Sequence, residues 1–403
     1  MKILLINTFY YPKFVGGAEI SVQVLAEGLV DRGHDVYVLC FGPEESVYKV
    51  NGVVVISILQ KNIYSTYFEK KRSKLQKTVH HLIDSINPFY GITLANILAK
   101  IQPDVVHTNN IQGFSPMIWP VIKFLKYPVV HTIRDYYLLC HRNNMYNNNC
   151  VCEKLCADCN ATHQIKKLFL PFPDSVIGIS DFVLSKHDKL FPAKTSRSVI
   201  YNGVKFNSRP GRVTDEKPSN DKMLTLGYLG RISPDKGAGY LVDELLACSE
   251  RTRKGVRVLM AGNGDTDYVN ALKLLTANLN VQFVGVVKPN EFLKLIDVLI
   301  VPSLWMEPFG RTVIEALAAG VPVCIAESGG LTELHDEKCT WLFKTDVRCL
   351  TSLIEKIAAD KELVANKRLH SVNYAKKFQQ KYYVENYDNV YRELLIAKTR
   401  EQF

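Results

Sequence analysis

Short β-branched, apolar runs alternate with amphipathic segments along this 403-residue chain, stop once, and start again. In the first half the runs are Ile3–Asn7, Asp35–Phe41, Val53–Ser57, Asp104–Thr108, Pro128–Ile133, Ser175–Ile179 and Ser198–Tyr201. Helical stretches lie between them. One of these, Ala18–Asp31, puts Val22, Leu25, Ala26 and Leu29 on one face, and Gly33 behind it suits a left-handed helix cap. Strands without polar alternation are buried on both faces, and strands separated by helices pair in parallel. Around Phe206–Lys222 the composition turns to Asn, Ser, Arg, Pro, Gly, Asp and Lys, the signature of a linker. Alternation resumes with Leu224–Gly230, Val256–Ala261, Val281–Val284, Val298–Pro302, Val321–Ala326 and Thr340–Phe343. The predicted fold class is α/β, with two Rossmann-like, doubly wound parallel-sheet domains facing a central cleft. The domains are expected at residues 1–205 and 206–379, with a last helix over about 380–403 returning to the first.

Composition narrows what such a chain does. Hydrophobic residues are 47% and charged residues 22%, as in ordinary folded domains, and no low-complexity tract is present. The apolar start Ile3–Ile6 is too short for an export signal, and no run is long enough to span a bilayer. A cytoplasmic chain is expected, with its ten cysteines reduced. The formal charge of +10 favours an anionic partner, yet no compact Arg-rich motif points to nucleic acid.

The most informative stretch is Pro302–Ala316, PSLWMEPFGRTVIEA. It leaves a strand, turns through Pro308, Phe309 and Gly310, and passes Arg311 into a helix near Thr312. A helix start presents unpaired N–H groups and a positive dipole end, which suits a diphosphate. Glu315, expected on the first turn, can accept from a ribose diol, and Glu307 can reach past the phosphates to a sugar. The plainer alternative makes Glu315 a helix cap and Glu307 a solvated loop charge.

Arg231 and Lys236 follow the strand Leu224–Gly230 in a Gly-bounded loop, where two cations would neutralise a leaving diphosphate. Exposed surface charge is the alternative. Gly16 and Gly17 follow the first strand and allow close backbone approach to a ligand, or serve a tight turn of positive φ. The G-x-G-x-x-G pattern of nicotinamide binders is absent there.

Asp265 and Asp267 open a helical stretch and read as cap and first-turn residues rather than metal ligands. Cys150, Cys152, Cys156 and Cys159, with Cys140 upstream, offer four thiolates for a structural zinc, or remain free thiols. Lys70, Lys71, Arg72, Lys74 and Lys77, edged by Tyr64, Tyr67 and Phe68, form a basic segment. It suits either an anionic membrane surface or plain solvation.

The ordered set of motifs resembles the retaining glycosyltransferases of family 4, which have the GT-B fold. It comprises Gly16-Gly17-Ala18-Glu19, Ser180-Asp181-Phe182, Tyr201-Asn202-Gly203-Val204, Gly230-Arg231 with Lys236-Gly237, Gly262-Asn263-Gly264 and Gly329-Gly330-Leu331-Thr332-Glu333. Glu307 and Glu315 occupy the two acidic positions of the E-x7-E element. The resemblance implies metal-independent transfer from a UDP- or GDP-type sugar nucleotide to a sugar or lipid-linked glycan, in surface polysaccharide assembly. The enzyme would work in the cytoplasm or at the cytoplasmic face of the inner membrane. It assigns catalysis to Glu307, Arg231, Lys236 and His107. Donor binding falls to Gly16, Gly17, Arg134, Asp135, Asn202, Gly264, Phe309, Gly310, Arg311, Thr312 and Glu315. Arg134 stands where relatives carry a His that contacts the donor sugar, so His107 or His131 would supply that contact. A sugar-nucleotide 2-epimerase and a non-catalytic sugar-nucleotide-binding protein are the alternatives.

Overall fold

The computed structural model describes residues 1–68, 72–206, 223–345 and 348–400. Residues 207–222 of the expected linker over Phe206–Lys222, together with Lys70 and Lys71, lie outside the described residues. The chain forms two compact units, one of residues 1–145, 152–205 and 380–403, the other of residues 146–151 and 206–379.

The first unit holds an eight-stranded sheet. Its strands are β1 (Lys2–Ile6), β2 (Asp35–Phe41), β3 (Ser46–Val50), β4 (Val53–Ile58), β5 (Val105–Thr108), β6 (Val129–Ile133), β9 (Ser175–Gly178) and β10 (Ser196–Val199). The short strands β7 (Tyr146–Asn147) and β8 (Cys150–Val151) pair separately. The sheet runs β10-β9-β6-β5-β1-β2-β4-β3, and every pairing is parallel except β3 with β4. The strand β3 has no counterpart among the predicted runs. Its Val47-Tyr48-Lys49 is half polar because the strand lies at the sheet edge. The Asn51-Gly52 turn that joins it to β4, with φ of 49° and 84°, is the signal for such a hairpin.

The helix Gln380–Arg400 belongs to the first unit. Tyr383, Val384, Tyr387 and Tyr391 are buried in the same core as Val22, Leu25 and Leu29 of the helix Gly17–Asp31. The two helices approach so closely that a Cβ on Gly28 would lie 2.4 Å from Val384 Cγ2. Asp388, buried beside them, pairs with Arg32 and His34.

The second unit is a six-stranded, all-parallel sheet of β11 (Leu224–Leu229), β12 (Val256–Ala261), β13 (Val281–Gly285), β14 (Val298–Val301), β15 (Val323–Ala326) and β16 (Thr340–Phe343). Their order, β13-β12-β11-β14-β15-β16, reverses between β11 and β14. In open α/β sheets ligands bind beyond the carboxyl ends of the strands at such a reversal. Strand and helix residues bury the core, from Leu226, Tyr228, Val258 and Ile300 to Leu241, Leu245 and Ile354. The sheet of the first unit reverses in the same way between β1 and β5.

Candidate active site

At the reversal point of the second unit, the loops after β11 and β14 are tied together. The Asp235 carboxylate accepts from Arg231 Nη2 at 2.6 Å and from Ser233 Oγ at 2.5 Å. Its backbone carbonyl accepts from the amides of Leu304 and Trp305 at 2.9 and 3.1 Å. Gly237 has a φ of 72°, and a Cβ there would stand 1.8 Å from the Pro302 carbonyl oxygen, so only glycine lets the loops meet. Gly264, beside Ile232 in an isolated bridge, fulfils the same need: its Cβ would lie 2.1 Å from the Ile232 oxygen.

This latch brings Lys236 to Glu307, with Nζ 2.7 Å from Oε2. Trp305 Nε1 also donates to Oε2 at 2.7 Å and Ser303 Oγ at 3.2 Å, while the Lys236 ammonium lies 4.6 Å from the centre of the Trp305 ring. The Glu307 backbone oxygen accepts from the Gly330 amide at 2.7 Å. Gly329 before it has a φ of 58°, and a Cβ there would crowd that same oxygen at 2.5 Å. The glycines of the predicted Gly329-Gly330 motif therefore hold Glu307 in place. Arg231 is largely exposed, at 58% of its side chain, and remains available to an anion.

Phe309 is buried edge-on against Phe378, and Gly310, at φ 105°, caps the helix Arg311–Ala318 without a side-chain cap bond. Arg311 opens that helix and Thr312 follows it. The helix starts at Arg311, one residue before the sequence reading put it, so Glu315 is its fifth residue, just past the first turn. Its carboxylate is 2.7 Å from Arg311 Nε and does not cap the helix. The site thus holds three ion pairs, Arg231–Asp235, Lys236–Glu307 and Arg311–Glu315. Asp265 is a helix cap, accepting from the amides of Asp267 and Tyr268.

In the first unit the predicted residues divide. Gly16 is extended, with a φ of −160° and open space where a Cβ would stand, so no positive-φ turn requires it. Gly17 opens the helix, exposed beside it. Arg134 is buried, its guanidinium donating to Asn109 Oδ1, Asn202 Oδ1 and Tyr383 Oη at 2.9, 2.8 and 3.1 Å. Asp135 is also buried, and burial pushes its carboxyl up to about 6. The Glu19 carboxylate, raised by burial, accepts from the Gly16 amide.

His107 corrects the sequence reading. It is fully buried, with Nδ1 2.7 Å from Tyr391 Oη and Nε2 2.8 Å from Thr132 Oγ1, and its ring stacks on Tyr387. Neither nitrogen is left for a substrate, and burial drives its pKa far below the ordinary histidine value. His131 is equally enclosed, bonded to Thr108 Oγ1 and packed against Trp119. Among the described residues, no three His, Cys, Asp or Glu side chains gather closely enough to hold a metal ion. Cys159 donates to Cys140 across 3.3 Å, whereas Cys150 is exposed.

Sequence reasoning missed Asp235, Trp305, Asn109 and Tyr383, which hold the predicted residues in place. Asp235 and Trp305 were within reach, each standing one or two residues from a residue already singled out.

The sequence model for Glycosyltransferase Family 4 matches residues 15–207, and that for Glycosyl transferases group 1 matches residues 224–360. The chain belongs to this glycosyltransferase family. A Klebsiella pneumoniae relative, named as an uncharacterized 42.6 kDa protein in the cps region, is 34% identical over 95% of this glycosyltransferase and 100% of its own length. The fold is GT-B. Sucrose-phosphate synthase from Thermosynechococcus elongatus shares it with a TM-score of 0.74 and 20% identity, covering 98% of this chain and 99% of its own. Anabaena HepE in complex with UDP and glucose matches with a TM-score of 0.69 and 18% identity, over 97% and 99% of the two chains. No helix among the described residues of this glycosyltransferase is long and apolar enough to cross a membrane.

Proposed function

We propose that this glycosyltransferase moves a sugar from a UDP- or GDP-type sugar nucleotide to a sugar or lipid-linked glycan, with retention at the anomeric carbon, in surface polysaccharide assembly. The observation that carries the reading is the Lys236–Glu307 pair, held with Arg231 at the reversal point of the second sheet. A sugar nucleotide needs cations for its diphosphate and a carboxylate for its hydroxyls, and here the two lie in contact. Lys236 has three donor hydrogens, so it can keep Glu307 and also take a phosphate oxygen. The Anabaena neighbour's UDP and glucose support a donor of this class.

In the reaction, the bond from the anomeric carbon to the diphosphate oxygen breaks as the acceptor oxygen bonds to that carbon from the same face. A donor phosphate oxygen takes the acceptor's proton. Lys236 and Arg231 stabilise the charge that grows on the leaving diphosphate, and Glu307 orients the sugar. A membrane-borne acceptor agrees with the helix Lys74–Ser85, where Lys74, Lys77 and a 73% exposed Leu75 share the surface.

The test is a screen of sugar nucleotides and glycan acceptors, with the anomeric configuration of any product compared with that of the donor. Retention in an acceptor-dependent product supports the reading. An isomerised donor without acceptor, or tight donor binding without any product, replaces it with an epimerase or a binding protein.

A further inference from the structure

Three donors converge on one oxygen of Glu307. Lys236 Nζ, Trp305 Nε1 and Ser303 Oγ all reach Oε2, and no described residue bonds Oε1. Trp305 is itself held from both sides: its amide donates to the Asp235 carbonyl, and its carbonyl accepts from Ser328 Oγ. Its indole is 9% exposed. One ring therefore does two things. Its N–H fixes which carboxylate oxygen faces the protein, and its face holds the Lys236 ammonium beside that oxygen. Without the N–H, the hold on Oε2 falls to Lys236 and the longer Ser303 contact, so the carboxylate turns more freely about its last torsion and either oxygen can take the ammonium.

We propose that Trp305 is a positioning residue for sugar transfer, holding Glu307 by Oε2 so that Oε1 stays free to accept a hydroxyl of the donor sugar. This rests on the reading of Glu307 as the sugar contact. Trp305 need not touch the substrate itself. Its contribution passes through Glu307, which separates it from an ordinary core aromatic.

Trp305→Phe keeps a ring beneath Lys236 and removes only the N–H. Expected are a fall in kcat of about ten- to a hundred-fold, the scale of a hydrogen bond to a charged group, and a donor KM within about three-fold of wild type. In a Glu307→Gln background the same change should alter kcat by less than about two-fold, because the two residues act as one. A purely structural tryptophan gives losses that multiply in the double variant, and that result overturns the proposal. A second measurement needs no turnover. The indole N–H resonance absent from Trp305→Phe is expected to shift in Glu307→Gln, and an unmoved resonance also overturns the proposal. If wild type transfers no sugar to any acceptor while that resonance shifts, the contact exists but the reading of Glu307 fails, and the proposal falls with it.

Discussion

Lys236 Nζ and Glu307 Oε2 lie 2.7 Å apart although 71 residues separate them in the chain. Both side chains are half-buried to buried, at 26% and 14% exposure, so the pair is shielded more than a surface salt bridge. Removing the cation leaves Glu307 with two neutral donors and the diphosphate without its partner. Lys236→Met is expected to lower kcat/KM for the donor by about a hundred-fold or more, with free nucleotide diphosphate binding weakened alongside. Steady-state kinetics and calorimetric titration with UDP and GDP check both.

Arg134 occupies the position where a sugar-contacting histidine was expected, and its guanidinium is spent on Asn109, Asn202 and Tyr383. Arg134→Met strands buried acceptors and is expected to destabilise the protein by about 2–4 kcal/mol. Arg134→Lys recovers little of it, since one ammonium cannot span three partners in a fixed fork. Urea denaturation of the three proteins measures this.

Two glycines from the same motif set should behave in opposite ways. Gly237→Ala forces a Cβ onto the Pro302 carbonyl and strains a positive φ, so folding and activity are lost together. Gly16→Ala meets open space in an extended backbone, and stability should stay within about 0.5 kcal/mol of wild type. Any loss of turnover in Gly16→Ala then reports a ligand close to that backbone, as thermal melts read beside activity will show.

Burial, above all, lowers His80 and His187 to about 4 and His81 and His131 to about 3. Their folded values lie below the unfolded value near 6.5, so below that pH the unfolded chain binds protons that the native chain does not. Stability is lost as pH falls, by about 1.4 kcal/mol per pH unit for each such histidine. Asp84 and Asp135, raised to about 6 by burial, act in the opposite sense between about 6 and 4. The histidines lowered by burial, His34, His107 and His141 among them, outnumber the raised carboxyls of Glu19, Asp84 and Asp135, so the urea midpoint is expected to fall from pH 7 to pH 5. A constant or rising midpoint contradicts the neutral burial of these histidines.

The two-sheet fold was legible because parallel strands buried on both faces leave unbroken apolar runs. Asp35–Phe41, Val256–Ala261 and Thr340–Phe343 lie where those runs put them. The edge strand Ser46–Val50 was not legible from apolarity, since half of it faces solvent. In the site, Glu307, Arg231 and Lys236 stood out as charges in Gly-bounded loops. Their mutual pairing did not, because it depends on how closely Gly237 lets two loops meet. His107 misled because a polar residue ending a strand looks alike from sequence whether it faces a ligand or the tyrosines of a helix 284 residues away. The second carboxylate misled more mildly: the helix starts one residue earlier than the sequence reading put it, so Glu315 falls just past the first turn, with Arg311 already on it.

Acceptor-dependent release of nucleotide, compared between wild type and Glu307→Gln, tests the central claim most directly. A working sugar nucleotide should yield free nucleotide and a glycosylated acceptor in equal amounts with wild type. The variant, which keeps the loop and loses the charge facing Lys236, should lose at least about a hundred-fold of that rate. Turnover in Glu307→Gln equal to that of wild type would contradict the assignment of this site to sugar transfer.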